Sequence, residues 1–93
     1  MIPACLLLLG PAQPVWVPTF VQDFDGPAGS PPDPKVWARD LGGGGFGNNE
    51  WQSYTDGAKN AFLDGKGNLI IEARKEPTKG PDGIARDYSS ARL

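Results

Sequence analysis

The sequence predicts an all-β chain, a partial β-sandwich or jelly roll built from short strands. Three observations carry this. Glycine (13) and proline (10) together make up about a quarter of the 93 residues, an excess that multiplies turns and argues against long helices. Short runs of β-branched and aromatic residues recur between turn signals, as in Trp51–Thr55 and Leu69–Lys75. No segment carries an apolar period of helical spacing over a useful length.

Residues 1–18 read as a signal-peptide remnant and a Pro-rich linker, and 19–93 as the body of an incomplete domain. Ala4-Cys5-Leu6-Leu7-Leu8-Leu9 is the strongest apolar run. It is far too short to cross a bilayer. It suits the apolar centre of a secretory signal with cleavage near Gly10-Pro11-Ala12, although no Lys or Arg precedes Lys35. The expectation is a secreted protein. Pro11, Pro14, Trp16 and Pro18 then keep the chain extended.

Thr19–Asp25 alternates and predicts a strand with Phe20, Gln22 and Phe24 on one side, stopped by Gly26-Pro27. Asp33-Pro34 predicts one helical turn, capped by Asp33, that turns Trp37 inward. Gly42–Gly47 holds five glycines and leaves the backbone free to take positive φ. Trp51–Thr55 is a strand ended by Asp56-Gly57, and Asn60–Asp64 is another. Asp64–Asn68 is a hairpin loop. Leu69–Lys75 is the clearest strand, with Leu69, Ile71 and Ala73 on one face, followed by a turn-rich loop over Pro77–Gly83. Tyr88–Leu93 opens a further strand that breaks off at the last residue. Such a set leaves open edges and an apolar face for the rest of a larger domain to cover.

Composition excludes several functions. The net charge is −2 and no basic patch occurs, so nucleic acid is not the partner. With no histidine and one cysteine, the chain holds neither a His/Cys zinc site nor a Ser-His-Asp triad, and Cys5 has no internal disulfide partner. The glycine run is not a phosphate loop, because no Gly-Lys-Ser/Thr and no helix follows it.

Phe24-Asp25-Gly26, Asp33–Trp37, Gly42–Thr55, Asn60-Ala61-Phe62, Gly67–Ile71 and Tyr88–Leu93 follow one another in a telling order. The series resembles the opening third of bacterial laminarinase-like glycoside hydrolases of family 16. It covers residues 19–93, and Gly45–Thr55 is its most specific stretch. Phe46 stands where a tryptophan is common in that family, and Trp51 where a leucine or isoleucine is common. The resemblance implies a concanavalin-like jelly roll whose two bent antiparallel sheets form a cleft. It also implies a retaining endo-hydrolase of β-1,3- or β-1,3-1,4-glucan, monomeric at full length. Such chemistry uses two carboxylates about 5–5.5 Å apart. The family carries them on one strand as Glu-x-Asp with a further Glu, a motif these 93 residues lack. No catalytic residue is therefore assigned, and the chain alone is expected to be inactive. Glu72 and Glu76 flank Arg74 and read as a charge-compensated solvated face. Asp23 and Asp25 read as turn residues.

By the same resemblance, Asn49 and Arg92 line the glycone side of the cleft. Asn48 joins them, since amides both donate to and accept from vicinal hydroxyls. Phe46 and Trp51 are candidate stacking surfaces. The competing roles are turn chemistry for the two asparagines, core packing for Trp51 and an ordinary surface charge for Arg92. Glu50 reads as a partner of loop backbone. No metal ligand is assigned, although a structural calcium ion is expected of many full-length members. The alternative function is a non-catalytic β-glucan-binding jelly-roll module.

Overall fold

The computed structural model describes residues 11–93. Most of the expected signal segment, Cys5 included, lies outside them. Residues 11–18 carry no regular structure and every one is exposed. Beyond them come five strands: β1 (Gln52–Tyr54), β2 (Ala61–Leu63), β3 (Leu69–Ile71), β4 (Arg74–Lys79) and β5 (Ala85–Ser90). They form a three-stranded sheet in the order β1-β5-β4 and a two-stranded sheet of β2 and β3. No α-helix occurs among the described residues.

The two sheets arise differently. β2 and β3 form an antiparallel pair with Phe62 opposite Ile70, closed by the Asp64–Asn68 loop. The sequence predicts a hairpin loop there, and Asp64 Oδ1 organises it as an Asx turn by accepting from the Lys66 and Asn68 amides. β4 and β5 are also antiparallel. β1, however, runs parallel to β5, with Ser53 opposite Ser89. This departs from the purely antiparallel sheets implied by the resemblance. On its other edge β1 is held by Gly42, whose N–H and C=O both bond to the Tyr54 backbone.

Several expected elements end differently. Thr19–Asp25 is not a strand: Phe24 has φ 52° and its amide bonds to Gln22 Oε1 instead of a neighbouring strand. Phe20 and Phe24 do share a side, because both meet Trp37, edge-on at 6.4 Å and stacked at 5.8 Å. The Asp33 turn forms as predicted, with Asp33 Oδ1 accepting from Lys35 N and Asp33 O from Trp37 N. The expected strand Leu69–Lys75 is divided between the two sheets. The expected loop begins late, since β4 runs on to Lys79. Proline has no N–H for a ladder, and Pro77 sits where the β4–β5 register shifts between Lys75 and Thr78.

One residue explains the division. Asn60, at the entrance to β2, is fully buried. Its Nδ2 donates to Glu72 O and to Ser89 Oγ, both at 3.0 Å, and its Oδ1 accepts from the Thr55 hydroxyl. Its carbonyl accepts from Glu72 N at 2.9 Å. The chain is thus gripped at Glu72 as it leaves β3, and turns there into the other sheet. Ser89 passes the network on by donating to Glu76 Oε1 at 2.7 Å, which Lys59 also meets at 2.7 Å. Lys59 first, then Ser89, hold the Glu76 carboxyl below its ordinary value of 4.5.

The apolar core beside this network is small: Tyr54, Ala61, Leu63 and Ala91 are buried, while Trp16, Phe20, Val21, Trp51 and Ile71 are more than half exposed. With so little apolar burial, polar satisfaction at Asn60 carries unusual weight. Unpairing a buried polar group costs about 1–3 kcal/mol. Asn60→Ala is expected to lose about 2–4 kcal/mol in urea unfolding, whereas Lys59→Ala, at an exposed ion pair, should lose less than about 1 kcal/mol. Equal losses for the two would contradict the role given to Asn60.

Candidate functional site

The glycine-rich loop delivers its side chains through one tight turn. Gly45–Gly47 forms a 3-10 turn, and Gly45 O accepts from both Asn48 N and Glu50 N. Phe46 and Asn49 take left-handed backbone conformations, with φ 46° and 54°. Asn tolerates that region because its short polar side chain bonds locally, whereas a phenylalanine there is strained. Packing holds it: the Phe46 ring meets Tyr54 edge-on at 4.9 Å, and the Arg92 guanidinium lies 4.9 Å from the Phe46 centroid, within cation–π range.

Arg92 is oriented from behind by Asp40, 3.0 Å from its Nε. The two segments also pair through Asp40 N and Arg92 O at 3.0 Å. At this exposure the ion pair adds only about 0–1 kcal/mol, so its effect is to aim the guanidinium.

Tyr54 joins this stack to the loop beyond. Its hydroxyl donates to Glu50 Oε1 at 2.5 Å and accepts from Gln52 Nε2 at 3.1 Å. Asn48 Nδ2 reaches Glu50 Oε2 at 3.4 Å. The Glu50 carboxylate was expected to bond loop backbone, and it instead bonds the side chains of Tyr54 and Asn48. The Tyr54 bond, assisted by Asn48 and the Arg92 charge, keeps the Glu50 carboxyl below its ordinary 4.5 despite desolvation. The same bond, with burial, lifts the Tyr54 phenol above its ordinary 10.0.

Next to this network opens a cleft of about 490 Å³ lined by Asn48, Asn49, Glu50, Trp51, Gln52, Ala73 and Tyr88. Trp51 is 71 % exposed, so it is not a core residue. Its ring lies 6.3 Å from that of Tyr88 at a 30° tilt. The five residues singled out from the sequence thus fall into two groups. Asn48, Asn49 and Trp51 line the cleft. Phe46 and Arg92 stack on Tyr54 behind it. Tyr54, Gln52 and Tyr88 were not singled out; the alternation that puts Gln52 and Tyr54 on one face of β1 is the signal that could have found them. Glu50 is the one carboxylate in the lining, and a depressed carboxyl is a poor proton donor. Among the described residues, no three His, Cys, Asp or Glu side chains come together to hold a metal ion.

No family model matches the sequence. A β-glucanase from Rhodothermus marinus is 44 % identical over 80 residues, which span 86 % of this chain and 26 % of that protein. The chain is homologous to part of a family-16 β-glucanase. It spans about a quarter of the relative's length. Among solved structures, the laminarinase of Rhodothermus marinus superposes with a TM-score of 0.63 at 45 % identity, over 75 % of this chain and 25 % of that one. The endo-1,3-β-glucanase of Streptomyces sioyaensis superposes with a TM-score of 0.69 at 34 % identity, over 88 % and 30 %. The described strands therefore match a portion of a family-16 jelly roll.

A carboxyl whose folded pKa is depressed stabilises the fold above its unfolded pKa, and that contribution is lost as pH falls through the folded one. Glu50 is expected to titrate below 4.5 when its carboxyl ¹³C shift is followed by NMR, and Tyr54→Phe should move it upward. A Glu50 midpoint unchanged by Tyr54→Phe would contradict the network.

Proposed function

We propose that this chain forms one wall of the substrate cleft of a secreted, retaining endo-β-glucanase acting on β-1,3- or β-1,3-1,4-glucan. The observation that carries the reading is the meeting, in a stretch homologous to a β-glucanase, of an exposed indole with a row of amides around one cleft. Trp51 offers an apolar face to a pyranose ring, with Tyr88 beside it. Asn48, Asn49 and Gln52 offer paired donors and acceptors to ring hydroxyls. Glu50, ionised, accepts from hydroxyls and fixes the loop through Tyr54.

Bond cleavage is a separate matter. A retaining reaction takes a nucleophilic carboxylate and an acid/base carboxyl about 5–5.5 Å apart. Glu50 has no acidic neighbour in the cleft lining. Glu72 and Glu76 are both drawn to Arg74, the former at 2.8 Å. In this reading the wall binds and orients glucan, and the acid pair belongs to a strand of the complete enzyme outside these 93 residues.

Titration calorimetry with laminarihexaose tests the binding. The chain is expected to bind the hexasaccharide, and Trp51→Ala to weaken it by about tenfold, the scale of a lost aromatic stacking contact. Reducing-sugar release from laminarin should stay at the heat-killed control. No binding, or release of sugar by the chain alone, would overturn the proposal.

A further inference from the structure

The turn joining β4 to β5 and the start of β5 together grip Gly43 of the glycine-rich loop from two sides. Asp82 Oδ2 accepts from Gly43 N at 2.7 Å, and Arg86 Nε donates to Gly43 O at 2.7 Å. The other carboxylate oxygen, Oδ1, accepts from Ile84 N at 3.1 Å and ties Asp82 into its own turn. That turn is closed by Gly83 N and Gly80 O at 2.9 Å. Both bonds to Gly43 are charge-assisted, which makes them stronger than neutral ones.

The fit admits nothing larger than glycine. A Cβ on Gly42 would collide with the Asp82 carboxylate, and one on Gly43 would stand 2.8 Å from Arg86 Cγ. Beneath lies Ser53, fully buried in β1, at 3.4 Å from the same point over Gly43 and with its Oγ 3.2 Å from a Cβ on Gly80. Gly43 and Gly80 are thus packed against the strand that also carries Tyr54 and Gln52.

We propose that Asp82 and Arg86 are positioning residues for the sugar cleft, acting through Gly43 on the loop that presents Asn48, Asn49 and Glu50. On its Glu50 side the loop is fixed by the Tyr54 hydroxyl and by Gly45 O. On its Gly42 side, the backbone pair with Tyr54 is followed at once by the clasp. Remove the clasp and the glycines ahead of Phe46, Gly43–Gly45, lose their side-chain hold, while the Phe46 ring still rests on Tyr54. Glycine has the most backbone freedom to regain, so the asparagines lose their fixed place over the cleft. The β4–β5 hairpin keeps its own ladder, so the hairpin survives the change.

This role rests on the glucan-wall reading, and the test separates the two. Gly43 amide exchange by NMR and laminarihexaose affinity by tryptophan fluorescence are measured for the 93-residue chain and for Asp82→Ala, Arg86→Ala and Arg86→Lys. Exchange of the β5 amides serves as the control for folding. The alanine variants are expected to exchange Gly43 about tenfold faster with β5 protection kept, and to bind about tenfold more weakly, the scale of a lost charge-assisted hydrogen bond. Arg86→Lys should recover part of both. If the unsubstituted chain binds no hexasaccharide, the glucan reading fails and takes this role with it. If it binds, and Gly43 is freed without any change in affinity, the positioning role alone is overturned. Loss of β5 protection in both alanine variants would likewise overturn it, by making the clasp a folding contact.

Discussion

The buried side chain of Asn60 is the constraint on which the rest of this architecture depends. A carboxamide has two donor hydrogens and one acceptor oxygen. Here each donor is used, on Glu72 O and on Ser89 Oγ, and the oxygen takes the Thr55 hydroxyl. These partners come from the exit of β1, the exit of β3 and the end of β5. One amide therefore ties the two-stranded sheet to the three-stranded sheet. Leucine of similar volume could fill the space, but it would leave a carbonyl and two hydroxyls to seek other partners. Few apolar side chains are buried nearby, so dispersion and hydrophobic burial have little with which to compensate.

From that joint the cleft follows. Ser89, bonded to Asn60, lies opposite Ser53 in the parallel pairing of β5 with β1. This register sets Tyr88 against Gln52 and brings the Trp51 and Tyr88 rings side by side. Tyr54, at the far end of β1, then gathers Phe46, Glu50 and Arg92. Cleft and scaffold meet along three residues of one strand. The cleft is backed by β1 on one side, and its glycine loop is held from across by Asp82 and Arg86.

The sequence disclosed this unevenly. Gly45–Thr55 was legible because its signals are local: glycines permit the left-handed positions, Asn49 adopts one, and alternation marks β1. The Asp33 cap and the Asp64 turn were legible for the same reason. What was hidden is nonlocal. Leu69–Lys75 looks like one strand because its residues favour one, and only the distant Asn60 divides it. Phe20–Phe24 alternates like a strand but has no neighbour to pair with, so its aromatic rings settle on Trp37. The parallel partner of β1 and the hold of Asp82 and Arg86 on Gly43 span some 40 residues, beyond the reach of any periodicity.

The most direct measurement is an NMR titration of the chain with laminarihexaose, following indole and side-chain amide resonances. The account predicts shifts at the Trp51 indole and at the Asn48, Asn49 and Gln52 amides, with the Asn60 amide unmoved. Shifts confined to residues outside the cleft lining, or none at saturating sugar, would contradict it.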